Sequence, residues 1–107
     1  MVTMVNKFTV SGNPEEFEKV WLESAEFMRS QPGFVGFRFF RSVMDPLVYV
    51  NIAEWASVED HQRVLQGPDF QDHIRALAAL ATPEPHLCTL VAEAGAADAA
   101  EPAAPRA

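Results

Sequence analysis

Asn51 and Trp55 stand four residues apart in the run LVYVNIAEWA, with Ala53 between them. On an extended strand, residues i, i+2 and i+4 share a face, so an amide, a methyl and an indole line up together. The small middle residue leaves a gap beside the indole. Trp supplies an apolar wall and one N–H donor, and Asn supplies a donor and an acceptor. The set suits a flat polyphenol, and it equally suits a core Trp beside an Asn satisfied by local backbone. Asn6, among Met4, Phe8 and Val10, interrupts a second apolar strand face and needs a hydrogen-bond partner from protein or ligand. His73 falls on a helical stripe with Phe70, Ile74 and Leu77, either as a satisfied core residue or as an acid, base or ligand. Arg75 sits about 100° off that stripe, placed for solvent or for holding a phenolate at a pocket mouth. His61 opens the preceding helical region and is expected to be exposed. No glycine-rich phosphate loop or serine-nucleophile motif is present. His61 and His73 lie too far apart in sequence for a close-spaced metal pair, and Cys88 reads as an inert core thiol.

These residues need a scaffold, and the hydrophobic periodicity supplies one. Residues 2–10 alternate as a strand, with Val2, Met4, Asn6, Phe8 and Val10 on one face. Asn13, Pro14, Glu15 and Glu16 then form a helix start. Phe17, Val20, Trp21, Ser24, Phe27 and Met28 make the apolar stripe of a helix reaching about Ser30. Residues 34–43 form a Phe-rich strand whose two phases carry Phe34 with Phe40, and Val35 with Phe37 and Phe39. Asp45-Pro46 marks a turn, and residues 47–56 form the partner strand of a hairpin. Ser57 and Asp60 resemble a capping box at a short helix over 58–66. Gly67-Pro68 separates it from a helix over 69–81. Thr82-Pro83-Glu84-Pro85 ends that helix, and a last strand spans 86–93. The order β-α-β-β-α-β is the ferredoxin-like α+β arrangement, an antiparallel sheet with helices on one face. The other face also carries large apolar residues, which predicts a second copy packed sheet against sheet, as a homodimer.

Composition narrows the class. The 107 residues suffice for one domain, read as 1–94, followed by an Ala- and Pro-rich tail over 95–107 with nothing to bury. The net charge of −7 argues against nucleic acid and anionic membrane as partners. A single cysteine implies no disulfide framework, and no apolar run approaches a transmembrane length. The opening MVTMVNKFTV reads as a strand rather than a signal peptide, so a cytoplasmic location is expected.

The phrases SQPGFVGFRFFRS, YVNIAEWAS and LQGPDFQDHIRALA together resemble the antibiotic biosynthesis monooxygenase family of dimeric α+β barrels, over essentially all of residues 2–93. The resemblance implies a homodimer acting on a small aromatic substrate and oxygen. In the cofactor-independent, quinone-forming branch, Asn51, Trp55 and Arg75 match the catalytic Asn, Trp and Arg. Phe39 and His61 take the places of two pocket tyrosines, and with Asn6 and His73 they would contact substrate. His61 or His73 would receive a proton. In the haem-degrading branch, Asn6 matches the first-strand Asn and His73 the iron ligand, while Val64 stands in place of the Trp that walls the porphyrin. A third reading is a non-enzymatic small-ligand binder or accessory protein of the same fold.

Overall fold

The computed structural model describes residues 1–97, so most of the tail lies outside the described residues. Four strands, β1 (Val2–Val10), β2 (Phe34–Arg41), β3 (Val48–Trp55) and β4 (Ala81–Cys88), form one antiparallel sheet in the order β2-β3-β1-β4. Three helices pack on it: α1 (Pro14–Arg29), α2 (Val58–Leu65) and α3 (Pro68–Ala78).

The helix starts follow the capping chemistry. Asn13 accepts a hydrogen bond from the Glu16 N–H at 2.9 Å, and Pro14 occupies the first turn. Ser57 accepts from the Asp60 N–H at 3.1 Å, and its hydroxyl donates to the Asp60 carboxylate at 2.9 Å. Arg63 holds the same carboxylate at 2.7 Å. The two hydrogen-bond donors, Arg63 first, keep Asp60 below the usual carboxylate range. In the β2–β3 hairpin, Asp45 accepts from the Leu47 N–H at 3.0 Å, and Ser42 accepts from the N–H groups of Met44 and Asp45.

Phe8, Val10, Phe17, Trp21, Ala25, Tyr49, Leu77 and Ala81 form the main core between sheet and helices. A second cluster of Val2, Trp55 and Val64 closes the other end of the sheet, with Phe27, Phe34 and Phe70 against it. Trp55 is only 1% exposed, and Phe34 meets it edge-on at 5.1 Å. Burial of a large aromatic contributes roughly 1.5–3 kcal/mol.

Several expectations need correction. The last strand is Ala81–Cys88 rather than 86–93, and α3 ends at Ala78. Thr82-Pro83-Glu84-Pro85 forms strand instead of loop because β4 is an edge, where a missing N–H leaves the outer side no worse off. Cys88 therefore sits half-buried at the end of that edge strand rather than in the core. The Phe-rich strand also does not keep a single alternation. A bulge between Phe34 and Gly36 resets the phase, and the register places Phe34, Phe37 and Phe39 opposite Trp55, Ala53 and Asn51. His61 is buried, at 4% exposure, rather than exposed. Its ring meets Trp55 edge-on at 5.4 Å, and its Nδ1 has no partner among the described residues.

Two outcomes test this packing. Gly33 adopts a φ of 87°, and a Cβ there would run into the Asp60 carboxylate. Gly33→Ala should lower unfolding free energy in urea titrations by about 1–2 kcal/mol from backbone strain alone, and by more if the Ser57–Asp60–Arg63 cluster is displaced. Burial lowers the His61 pKa from its ordinary value of 6.5. The unfolded chain then binds that proton more readily, so this contribution to stability is intact above about pH 6.5 and is lost as pH falls below it. His61→Phe should unfold with a visibly shallower loss of stability between pH 7 and 5 than the parent.

Candidate active site

β1 and β3 are neighbours, and their register sets Asn6 directly opposite Asn51. Both fall on the helix-covered face, because Tyr49, Asn51, Ala53 and Trp55 alternate with Val48, Val50, Ile52 and Glu54. Above the two amides lies a cavity of about 100 Å³. Met4, Asn6 and Asn51 form its floor, Trp21, Ser24, Ala25 and Met28 on α1 its main roof, and Ile74 and Leu77 on α3 its side. A narrower space of about 40 Å³ opens beside it, over Ala53 and between Phe34 and Phe37. This is the gap expected from a small residue between Asn51 and Trp55. The two spaces share Trp21, Ala25, Met28 and Asn51 as walls.

The polar atoms of this cavity are unequally served. The Asn6 side-chain oxygen accepts from the Glu84 N–H at 3.1 Å, which ties it to β4. The Asn51 side-chain oxygen is buried and has no hydrogen-bond partner among the described residues. A buried acceptor left alone costs about 1–3 kcal/mol. Ser24 is buried and lies 3.1 Å from His73 Nδ1 through its hydroxyl oxygen. His73 is half-buried, and its ring packs against Phe27 at 4.9 Å.

The structure brings Asn6 and Asn51 together and sets Ser24 and His73 beside them. Trp55 stands on the same face but behind Ala53, sealed between Phe34 and His61. Phe39 stacks on Trp21 at 3.7 Å and on Tyr49 at 5.3 Å, as part of the core rather than the cavity wall. At that end of the sheet, Tyr49 donates to Glu18, which also pairs with Arg41. Burial and the Glu18 bond, in that order, push the Tyr49 phenol up. The Arg75 side chain is 71% exposed, pairs with Asp72, and does not line the cavity. The roof is also chiefly α1 rather than the second helical region. Ser24 was hidden in the sequence as one small member of the α1 stripe. Its one signal was a hydroxyl on an otherwise apolar helical face. No group of three or more metal-ligating side chains forms among the described residues.

The antibiotic biosynthesis monooxygenase family profile matches residues 1–76. Deoxynogalonate monooxygenase of Streptomyces nogalater is 46% identical over 88 residues, covering 82% of this chain and 75% of that protein. The crystal structure of SnoaB, a cofactor-independent oxygenase from the same organism, superposes with a TM-score of 0.83 at 43% identity. That match covers 86% of this chain and 94% of SnoaB. A candidate antibiotic biosynthesis monooxygenase from Deinococcus radiodurans, at 15% identity, shares the fold with a TM-score of 0.76 over 90% of this chain and 98% of its own. With its ferredoxin-like sheet, its helix-covered cleft and these relatives, the chain belongs to the antibiotic biosynthesis monooxygenase family.

Proposed function

We propose that this chain is a cofactor-independent monooxygenase that oxidises an electron-rich phenolic or anthrone-type substrate with molecular oxygen. The observation that carries this reading is the buried, unpartnered Asn51 oxygen facing a cavity. An acceptor kept at that cost is kept for a donor that arrives with a ligand, and a phenolic hydroxyl is such a donor. The similarity to a deoxynogalonate monooxygenase and to a cofactor-independent oxygenase supports the same chemistry.

An anthrone that loses a proton becomes a strong reductant. The anion passes one electron to oxygen, and the radical pair recombines as a peroxide. Loss of water from the peroxide leaves the quinone carbonyl. The protein orients the ring, stabilises negative charge and excludes water. Asn51 and Asn6 hold the polar edge of the substrate, and Trp55 backs the narrow space over Ala53. Arg75 contributes to holding negative charge once it leaves Asp72. The cavity is smaller than the roughly 300–1,000 Å³ of ordinary ligand pockets. Met28, a shared wall of both spaces, is the adaptable side chain whose movement joins them.

Haem does not fit as well. The Phe27 ring packs against His73, and Val64, which stands where the porphyrin-walling Trp would be, is buried in the Trp55 cluster. A pure ligand binder draws support from the Trp21, Phe37 and Phe39 packing that fills part of the space. Binding without turnover would mark that reading.

The open sheet face supports a homodimer. Val35 and Phe40 are exposed there, and a hollow of about 300 Å³ runs along Val35, Arg38, Ile52 and Glu54. A cytoplasmic location suits such an enzyme, and no helix among the described residues is long and apolar enough to cross a membrane. The expected outcome in sedimentation velocity is a dimer at micromolar concentration and a monomer for Ile52→Lys. A monomeric parent would remove the dimer. With 1,8-dihydroxyanthrone and oxygen, Asn51→Ala and Trp55→Phe should each form quinone at least tenfold more slowly than the parent. Equal rates would overturn the site assignment.

A further inference from the structure

The substrate's proton has to go somewhere, and the two candidate histidines are placed very differently. His61 lines neither space in the cleft, and the Trp55 indole packs against it. His73 also lacks direct contact with the cavity, but Ser24 is one of the cavity's lining residues and lies 3.1 Å from His73 Nδ1. We propose that Ser24 and His73 form a proton relay in which the serine hydroxyl takes the substrate's proton inside the cleft while passing its own to the imidazole outside it. This inference rests on the oxygenase reading and specifies the acid–base step of that same site.

The hydrogen-bond pattern around Ser24 suits both ends of such a transfer. Its oxygen lies 3.1 Å from His73 Nδ1 and 3.2 Å from the Val20 carbonyl oxygen. With His73 neutral and its proton on Nε2, the hydroxyl donates to Nδ1 and its lone pairs remain open to the cavity. When substrate arrives, its C–H or O–H bond breaks and the electron pair stays on the ring. The proton passes to the serine oxygen as the serine proton passes to Nδ1. In the product state Nδ1–H donates back to the serine oxygen, and the hydroxyl turns to the Val20 carbonyl, the ordinary back-bond of a helical serine. No heavy atom has to move. The substrate has become an anion and His73 a cation, so the transfer creates an ion pair rather than an isolated buried charge.

The surroundings do not supply a competing partner. The cavity floor beside Ser24 presents the neutral Met4, Asn6 and Asn51. On α3 the flanking charged groups are Asp69, Asp72 and Arg75, of which the last two pair with each other. On α1 they are Glu23 and Glu26, with Glu26 held by Arg29 at 3.0 Å. On α2, Arg63 is engaged by Asp60. Among the described residues no carboxylate stands within ion-pair distance of His73.

Mixing with 1,8-dihydroxyanthrone under nitrogen separates the proton step from the oxygen step. The parent should bind the anthrone and develop the red-shifted absorption of its anion. Ser24→Ala and His73→Gln should bind it, as read by quenching of tryptophan fluorescence, and keep the neutral spectrum. In air at neutral pH, both variants should form quinone about a hundredfold more slowly. They should approach the parent rate at alkaline pH, where the anthrone ionises unaided. A variant with the parent's anion band and rate overturns the relay. A parent that forms the anion under nitrogen but yields no quinone in air overturns the oxygenase reading and leaves the relay standing. A parent that forms neither overturns both.

Discussion

Asn6 and Asn51 face each other across the two central strands, on the side of the sheet that the helices cover. Two amides in the middle of an apolar layer are a standing cost unless each finds a partner. The protein settles one of them internally, through the Glu84 N–H, and leaves the Asn51 oxygen unserved. The rest of the structure is arranged around that residue. α1 passes over it with a sequence of large and small side chains, Trp21, Ser24, Ala25 and Met28, that leaves space instead of closing on it. The rigid aromatic packing lies to either side: Phe17, Phe39 and Tyr49 at one end of the sheet, Phe34, Trp55 and His61 at the other.

Those two clusters explain how a small domain keeps a partly empty centre. Close-packed interiors resist voids because lining atoms lose contacts on one side. Here the loss is confined to the few residues over the central strands, while Trp55, Tyr49 and Phe17 are almost fully buried on either side. Stability and site are thus separated along the length of the helices. Trp55 lies on the packed side of that division: its indole closes one cluster and lines neither space.

Much of this was legible in the residues. The caps at Asn13 and Ser57, the turn at Asp45, the break at Gly67-Pro68 and the shared face of Asn51, Ala53 and Trp55 all follow from local chemistry, and all are present. What local reading misses depends on tertiary position. Pro83 and Pro85 look like breakers until β4 proves to be an edge. Phe34 parts company with Phe40 only because a bulge adds a residue to β2. His61 has the composition of a surface helix around it, yet it is drawn under α2 by Trp55. Ser24 is indistinguishable from any small spacer on an amphipathic helix until the residue across the groove is known to be His73.

The bond from the Glu84 N–H to Asn6 gives the edge strand a fastening inside the cleft. β4 is an edge strand, exposed along most of its length, and carries two prolines. Asn6 supplies a side-chain acceptor for the one N–H that lies between those prolines, that of Glu84. The floor of the cleft and the seam of the sheet are therefore one object. Any residue that reshapes the floor at position 6 also loosens the seam, whereas Met4, Met28 and Ile74 border the same space without that tie. Evolution, or a designer, seeking a new ring shape for this cleft would find the freer dimensions in its walls and roof.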